Sequence, residues 1–276
     1  MMRSMFTAIS GLKNHQLMLD VTANNIANVN TVAYKGSRTT FKDSLYQVQV
    51  GAAGPSPGQG GRNPSQVGLG VQLGSIDNLM GSGSLQATGN PTDVAIEGEG
   101  MFIVAAGTPP ALPANHLYTR AGNFTFNSQG YLVTADGYYV LGRTTAGAGA
   151  PDTYIQVPAG ATDVAIGQDG AVSYIPAGGG PREVAGYLSI ATFANQAGLQ
   201  RVSGNRWAAT AASGAINTGT PGGGFGNTIS GTLEMSNVDL ATEFTNMITA
   251  QRGFQANSRV ISTSDEMLQE LVNLKR

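Results

Sequence analysis

The chain has no cysteine, so it is not a disulfide-stapled protein and is indifferent to the redox state of its compartment. Its two histidines, His15 and His116, stand a hundred residues apart and make no zinc-ligand spacing, so no metal site is expected. Charge is scarce: Asp, Glu, Lys and Arg make up 12% of the residues, where a soluble domain carries roughly a quarter. With 15 basic against 17 acidic residues, there is no field to draw in nucleic acid or anionic lipid. No apolar window approaches the length of a membrane span, so neither nucleic-acid binding nor membrane insertion is expected. The opening MMRSMFTAISGLKNHQLMLD lacks the apolar stretch and small-residue cleavage site of a secretory signal.

The motifs of catalysis are missing too. There is no phosphate-binding GxxxxGK[ST] and no GxSxG, and the GEG at Gly98–Gly100 lacks the third glycine and the helix of a dinucleotide site. Glu97 and Glu99 could pair as an acid and a base, but without clustered polar partners they read as a solvated turn. Trp207 reads as a packing anchor rather than a stacking platform. No catalytic residue, cofactor or metal is therefore expected.

What the chain has is glycine, 39 residues, and two stretches of helical period. Alternating steps of three and four pick out Met2, Met5, Ile9, Leu12, Gln16, Leu19, Ala23 and Ile26, and the asparagines from Asn24 to Asn30 then weaken the helix. Near the other end, Leu240, Met247, Phe254, Ile261 and Leu268 recur every seven residues, joined at the second seam position by Phe244 and Val272. Ser236 with Asp239 resembles a capping box, and a helix from Leu240 to Asn273 is expected. These apolar seams, interrupted by Gln16, Gln251, Ser258 and Asp265, suit helices that pair with each other and with neighbouring subunits. The low surface charge agrees with cover by neighbours.

Between the helices, residues 51–70 are rich in Gly and Pro and read as a linker or an extended arm. From about 76 to 235 short strands and tight turns follow. Residues 117–142 read as a meander with turns at Gly130 and at Asp136-Gly137. The TDVAI at 92–96 is echoed at 162–166, which suggests two related hairpins, and GYLSIATF at 186–193 adds a strand. The expected fold is α+β: long N- and C-terminal helices pairing as a coiled coil, with a central, mostly antiparallel β domain. The expected domains are 1–30 with 237–276, an arm at 31–75, and a β-rich domain at 76–236.

The same ends carry a family resemblance. AISGLKNHQLMLDVTANNIANVNTVAYKGSRTTFKD at 8–43 resembles the N-terminal signature of the flagellar axial proteins, the rod and hook subunits. GTLEMSNVDLATEFTNMITAQRGFQANSRVISTSDEMLQELVNLKR at 231–276 is similar to their C-terminal signature, and DVAIEGEGMFIV, YTRAGNF, LVTADGYYVLG and ATFAN match the interior. The resemblance implies a structural subunit without enzymatic activity, exported through the flagellar channel without signal cleavage and built into a hollow helical tube. The opening and ending look more hook-like than rod-like, which implies an extracellular hook subunit of compact type acting as a universal joint, with a distal rod subunit as the alternative. Implied partners are copies of itself, rod and hook–filament junction proteins, the export apparatus and the hook cap. The subunit-interface residues expected on this reading are Met5, Ile9, Leu12, Leu19, Ile26, Leu240, Phe244, Met247, Phe254, Ile261, Leu268 and Val272.

Overall fold

The structure, a computed structural model, describes residues 2–274 apart from 56, 57, 59, 108, 110, 112–114, 150 and 152. The side chain of Met2 and the arm positions 56, 57 and 59 thus lie outside the described residues. The chain divides into two compact units. One is Met1–Ala27, Ser37–Asn78 and Asp239–Arg276; the other is Asn28–Gly36 and Leu79–Val238.

The first unit is built on two helices, α1 (Met2–Ala27) and α2 (Leu240–Asn273). α1 stops as the asparagine run begins, where short amide side chains compete for backbone hydrogen bonds. The start of α2 is set by Asp239, whose carboxylate accepts from Ala241 N at 3.1 Å and Thr242 Oγ1 at 2.6 Å. Ser236 does not share in that cap; its hydroxyl accepts instead from Val238 N.

The helices pack together antiparallel. Asn25 Nδ2 donates to Glu243 Oε1 at 3.2 Å, His15 lies over Gly253, and Asn257 lies over Gly11. Each step forward on α1 is matched by an equal step back on α2, so the pair keeps one register. In that register α1 begins level with Glu266, and the rest of α2 extends past it by about 10 Å.

Between α1 and α2 in sequence the unit holds one long hairpin. β1 (Ser37–Asp43) pairs with the later strand Val71–Asn78, β2 (Tyr46–Val50) pairs with Ser65–Gly68, and an Ala53–Arg62 bridge continues the ribbon outward. Of the segment 51–70 read as a linker or arm, Ser65–Gly68 is a strand paired with YQVQV just before the segment, and the Ala53–Arg62 bridge carries the ribbon on. Its root is tied to α1. Asn14 Nδ2 donates to Val71 O at 2.8 Å, and Val71 N donates to Ser10 Oγ. Gly70, at φ +118°, sits so close that a Cβ there would lie 2.4 Å from Ser10 Oγ.

The second unit is an antiparallel β body whose largest sheet has thirteen strands among the described residues. Met101–Ala105 is buried on both faces: Phe102 and Val104 join a cluster with Phe124, Leu132 and Leu188, while Met101, Ile103 and Ala105 join one with Tyr118, Leu141 and Trp207. The meander forms from Phe124 onward, Phe124–Phe126, Leu132–Thr134 and Tyr139–Arg143 pairing in order with Gly130 and Gly137 both at φ +82° in the turns, but Leu117–Thr119 leaves it to pair with Met101–Ala105 and Arg206–Ala208.

The echo does not make two hairpins. Thr162–Ile166 pairs with Ala171–Ile175, but Val94–Glu97 pairs with Asn227–Ser230 and leaves Met101–Ala105 to other strands. The reason is the turn between them: Gly98 and Gly100 turn their carbonyls onto the Arg120 guanidinium at 2.8 and 2.6 Å. GYLSIATF is likewise two strands, Glu183–Leu188 and Ile190–Phe193, broken at Ser189. The fold is thus α+β with antiparallel sheets, as the sequence implies.

Candidate subunit interface

The helix pair of the first unit meets along a line of mostly small and polar residues, with Met18 among them. On α1 these are Ala8, Gly11, His15, Met18, Thr22 and Asn25; on α2 they are Glu243, Asn246, Ala250, Gly253, Asn257 and Ser264. Glycine is needed where the backbones approach: a Cβ on Gly253 would lie 2.5 Å from the His15 ring, and one on Gly11 2.7 Å from Asn257 Nδ2. Burial raises the Glu243 carboxyl above its ordinary pKa, against the lowering effect of the Asn25 hydrogen bond.

The large apolar residues read from the period are displaced from this line. Ile9, Leu12, Leu19 and Ile26 each follow a contact residue of α1 by one, and Phe244, Met247 and Phe254 each follow one on α2. A step of one residue turns about 100° on a helix, and in an antiparallel pair of right-handed helices the same turn carries both sets to one side of the pair. These residues therefore share a single face. Met5, Leu12, Leu19, Ile26, Met247, Ile261 and Leu268 are half-buried, the last two lying nearest the contact line. Ile9, Leu240, Phe244, Phe254 and Val272 are exposed, Phe244 to 49%.

That exposure is concentrated. Of the large apolar side chains exposed among the described residues, all but Leu79, Leu85, Val184 and Ile216 belong to the first unit. The buried apolar side chains described there are Ala8 and Ala250 alone. Among its described residues the unit thus has a helix contact but no cluster of buried large apolar side chains, and much of its apolar face is exposed.

In the second unit a buried ion cluster, which period and composition did not disclose, gathers distant parts of the chain. Glu234 Oε1 accepts from Lys35 Nζ at 2.6 Å and from Gly83 N at 2.8 Å, and its Oε2 accepts from Arg120 Nε at 2.8 Å. Lys35 also donates to Gly81 O. The two cations and the carboxylate are almost wholly shielded from solvent. Desolvation lowers the Lys35 pKa, while the Glu234 hydrogen bond and charge oppose the shift. The Lys35 carbonyl accepts from Arg201, whose guanidinium stacks on Tyr34 and Trp207.

Glu97 and Glu99 are exposed, and Trp207 is buried as a packing residue. Among the described residues no group of three or more His, Asp or Glu could hold a metal, and no helix is long and apolar enough to cross a membrane.

The likenesses that follow are to structural proteins, not to enzymes. The chain belongs to the family of flagellar rod and hook proteins. Residues 5–35 match the family described as flagella basal body rod protein, 95–174 the flagellar hook protein FlgE/F/G D1 domain, and 229–274 the flagellar basal body rod FlgEFG protein C-terminal region. Over its full length the chain is 47% identical to the flagellar basal-body rod protein FlgG of Bacillus subtilis (strain 168), all of which is covered. It is 40% identical to that of Caulobacter vibrioides, over 99% of this chain and all of the relative. The flagellar hook protein FlgE of Borreliella burgdorferi is 28% identical, with both chains covered throughout.

Proposed function

We propose that this chain is a subunit of the distal rod of the flagellar basal body, polymerising with copies of itself into a hollow helical tube that transmits torque. The hook reading drawn from the sequence ends gives way to its alternative. The observation that favours the rod is 47% identity over the whole length to a relative named as a rod protein, against 28% to one named as a hook protein.

The face formed by Met5, Ile9, Leu12, Leu19, Ile26, Leu240, Phe244, Met247, Phe254, Ile261, Leu268 and Val272 is the surface along which neighbouring copies pack, extending the helix pair into a coiled-coil layer around the channel. Its partial exposure and the lack of a core beneath it support this role. A contact of one patch with a different patch on the next copy does not close on itself and so generates an open filament. At its ends such a tube meets other rod proteins and the hook, after export through the flagellar channel. Imaging basal bodies from a deletion strain tests the assignment. Loss of the distal rod is expected; intact rods lacking only the hook would restore the hook reading.

A further inference from the structure

In the helix register the last turns of α2 lie past the level of Met2. Met267, Leu271, Val272 and Leu274 are exposed there. Asp265, Glu266 and Glu270 lie in the last three turns of α2, whose own last turn has no basic residue; Lys275 and Arg276 follow in the sequence, outside the described residues. The start of α1 is the opposite case. A helix N-terminus favours anions, yet its first turn has no acidic residue and carries Arg3. Phe6, 66% exposed, and Lys13 follow on the outer side of α1, each two residues, or about 200°, from a contact residue. Among the described residues none of Arg3, Lys13, Asp265, Glu266 or Glu270 forms an ion pair.

We propose that the overhanging end of α2 in one copy packs on the outer side of the first turns of α1 in the next copy. Met267 and Leu271 cover Phe6 and Ile9, while Glu266 and Glu270 face Arg3 and Lys13. The acidic set of one copy is then met by the basic set of the next. The partner is a second copy of this chain, and the contact is head-to-tail. This inference rests on the polymer reading above and specifies one contact within it.

The absence of cysteine makes the test clean. A chain carrying both Phe6→Cys and Leu271→Cys replaces the native copy, and isolated basal bodies are mildly oxidised and run on a denaturing gel. In the helix register Phe6 is level with Ser262, about 14 Å short of Leu271, too far for a disulfide within one chain. A ladder of dimers, trimers and larger species is expected, with none from either single variant. Basal bodies that contain the chain but give no ladder, or single variants that crosslink to themselves, overturn the contact and leave polymerisation standing.

Charge reversal supplies a second reading if the cysteine chain fails to incorporate. Glu266→Lys with Glu270→Lys should cut incorporation roughly tenfold, and adding Arg3→Glu with Lys13→Glu should restore it to within about threefold; no restoration overturns the proposal. If the unsubstituted chain is itself absent from basal bodies, the polymer reading falls, and this contact with it.

Discussion

The two units keep their apolar residues in opposite places. The β body buries Phe102, Phe124, Leu132, Leu188 and Trp207 in two clusters, whereas the helical unit buries Ala8 and Ala250 and leaves Phe6, Phe244, Ile248 and Leu271 in solvent. The β body has its own core, whereas on the polymer reading the helical unit is covered only when a neighbour arrives. Stability and assembly are thus written in different residues, and substitutions should separate them.

The largest separation is expected from Phe254→Asp. A charge placed in a packed seam costs several kcal/mol, so the variant should lose tube assembly entirely and fail to restore motility in a deletion strain. The β body should keep its thermal transition; motility with this variant would break the assignment of the face. The converse variant is Glu234→Gln, which weakens the acceptor shared by Lys35 and Arg120. Breaking such a buried cluster costs about 3–5 kcal/mol, read as a lower denaturant midpoint of the unassembled chain. A midpoint unchanged within error would mean that the cluster contributes nothing to the body's stability.

A smaller effect is expected at Gly253→Ala, where the new methyl must displace the His15 ring. Overpacking of this kind costs about 1–3 kcal/mol, and it should appear as faster amide exchange along residues 8–25 with no change in the β strands. Smallest is the acid response of the α2 cap. The hydrogen bond from the Thr242 hydroxyl, then that from Ala241 N–H, lowers the Asp239 pKa below its ordinary value of 3.8. A lowered carboxylate contributes stability that is complete above the ordinary value and is lost as pH falls through the lowered one. Fraying of the first turn of α2 should therefore set in below about pH 4 and be absent from Asp239→Asn, which caps without titrating. Acid circular dichroism of the two chains makes the comparison.

The helices were legible because their apolar period is long, and so was the meander, because Gly130 and Gly137 punctuate it. What period could not supply was phase. Leu and Phe at seven-residue spacing draw attention as the contact line, yet the backbones approach where Gly11, Ala250 and Gly253 are small, one step round the helix. The ion cluster was hidden for a different reason. Lys35, Arg120 and Glu234 lie far apart in sequence, and a charged residue carries no periodic signal of burial. Arg120 also misled the reading of DVAIEGEGMFIV, since a side chain twenty residues away decides where the turn carbonyls of Gly98 and Gly100 point.

The helical unit is assembled from three stretches of chain, and Asn25 meets Glu243 only after more than two hundred intervening residues have been laid down. A chain delivered end first, from either terminus, holds half of its docking face until its last segment emerges. On the polymer reading proposed above, this gives polymerisation a clock: an incomplete subunit cannot join the growing end, and a complete one becomes competent at the moment it is released.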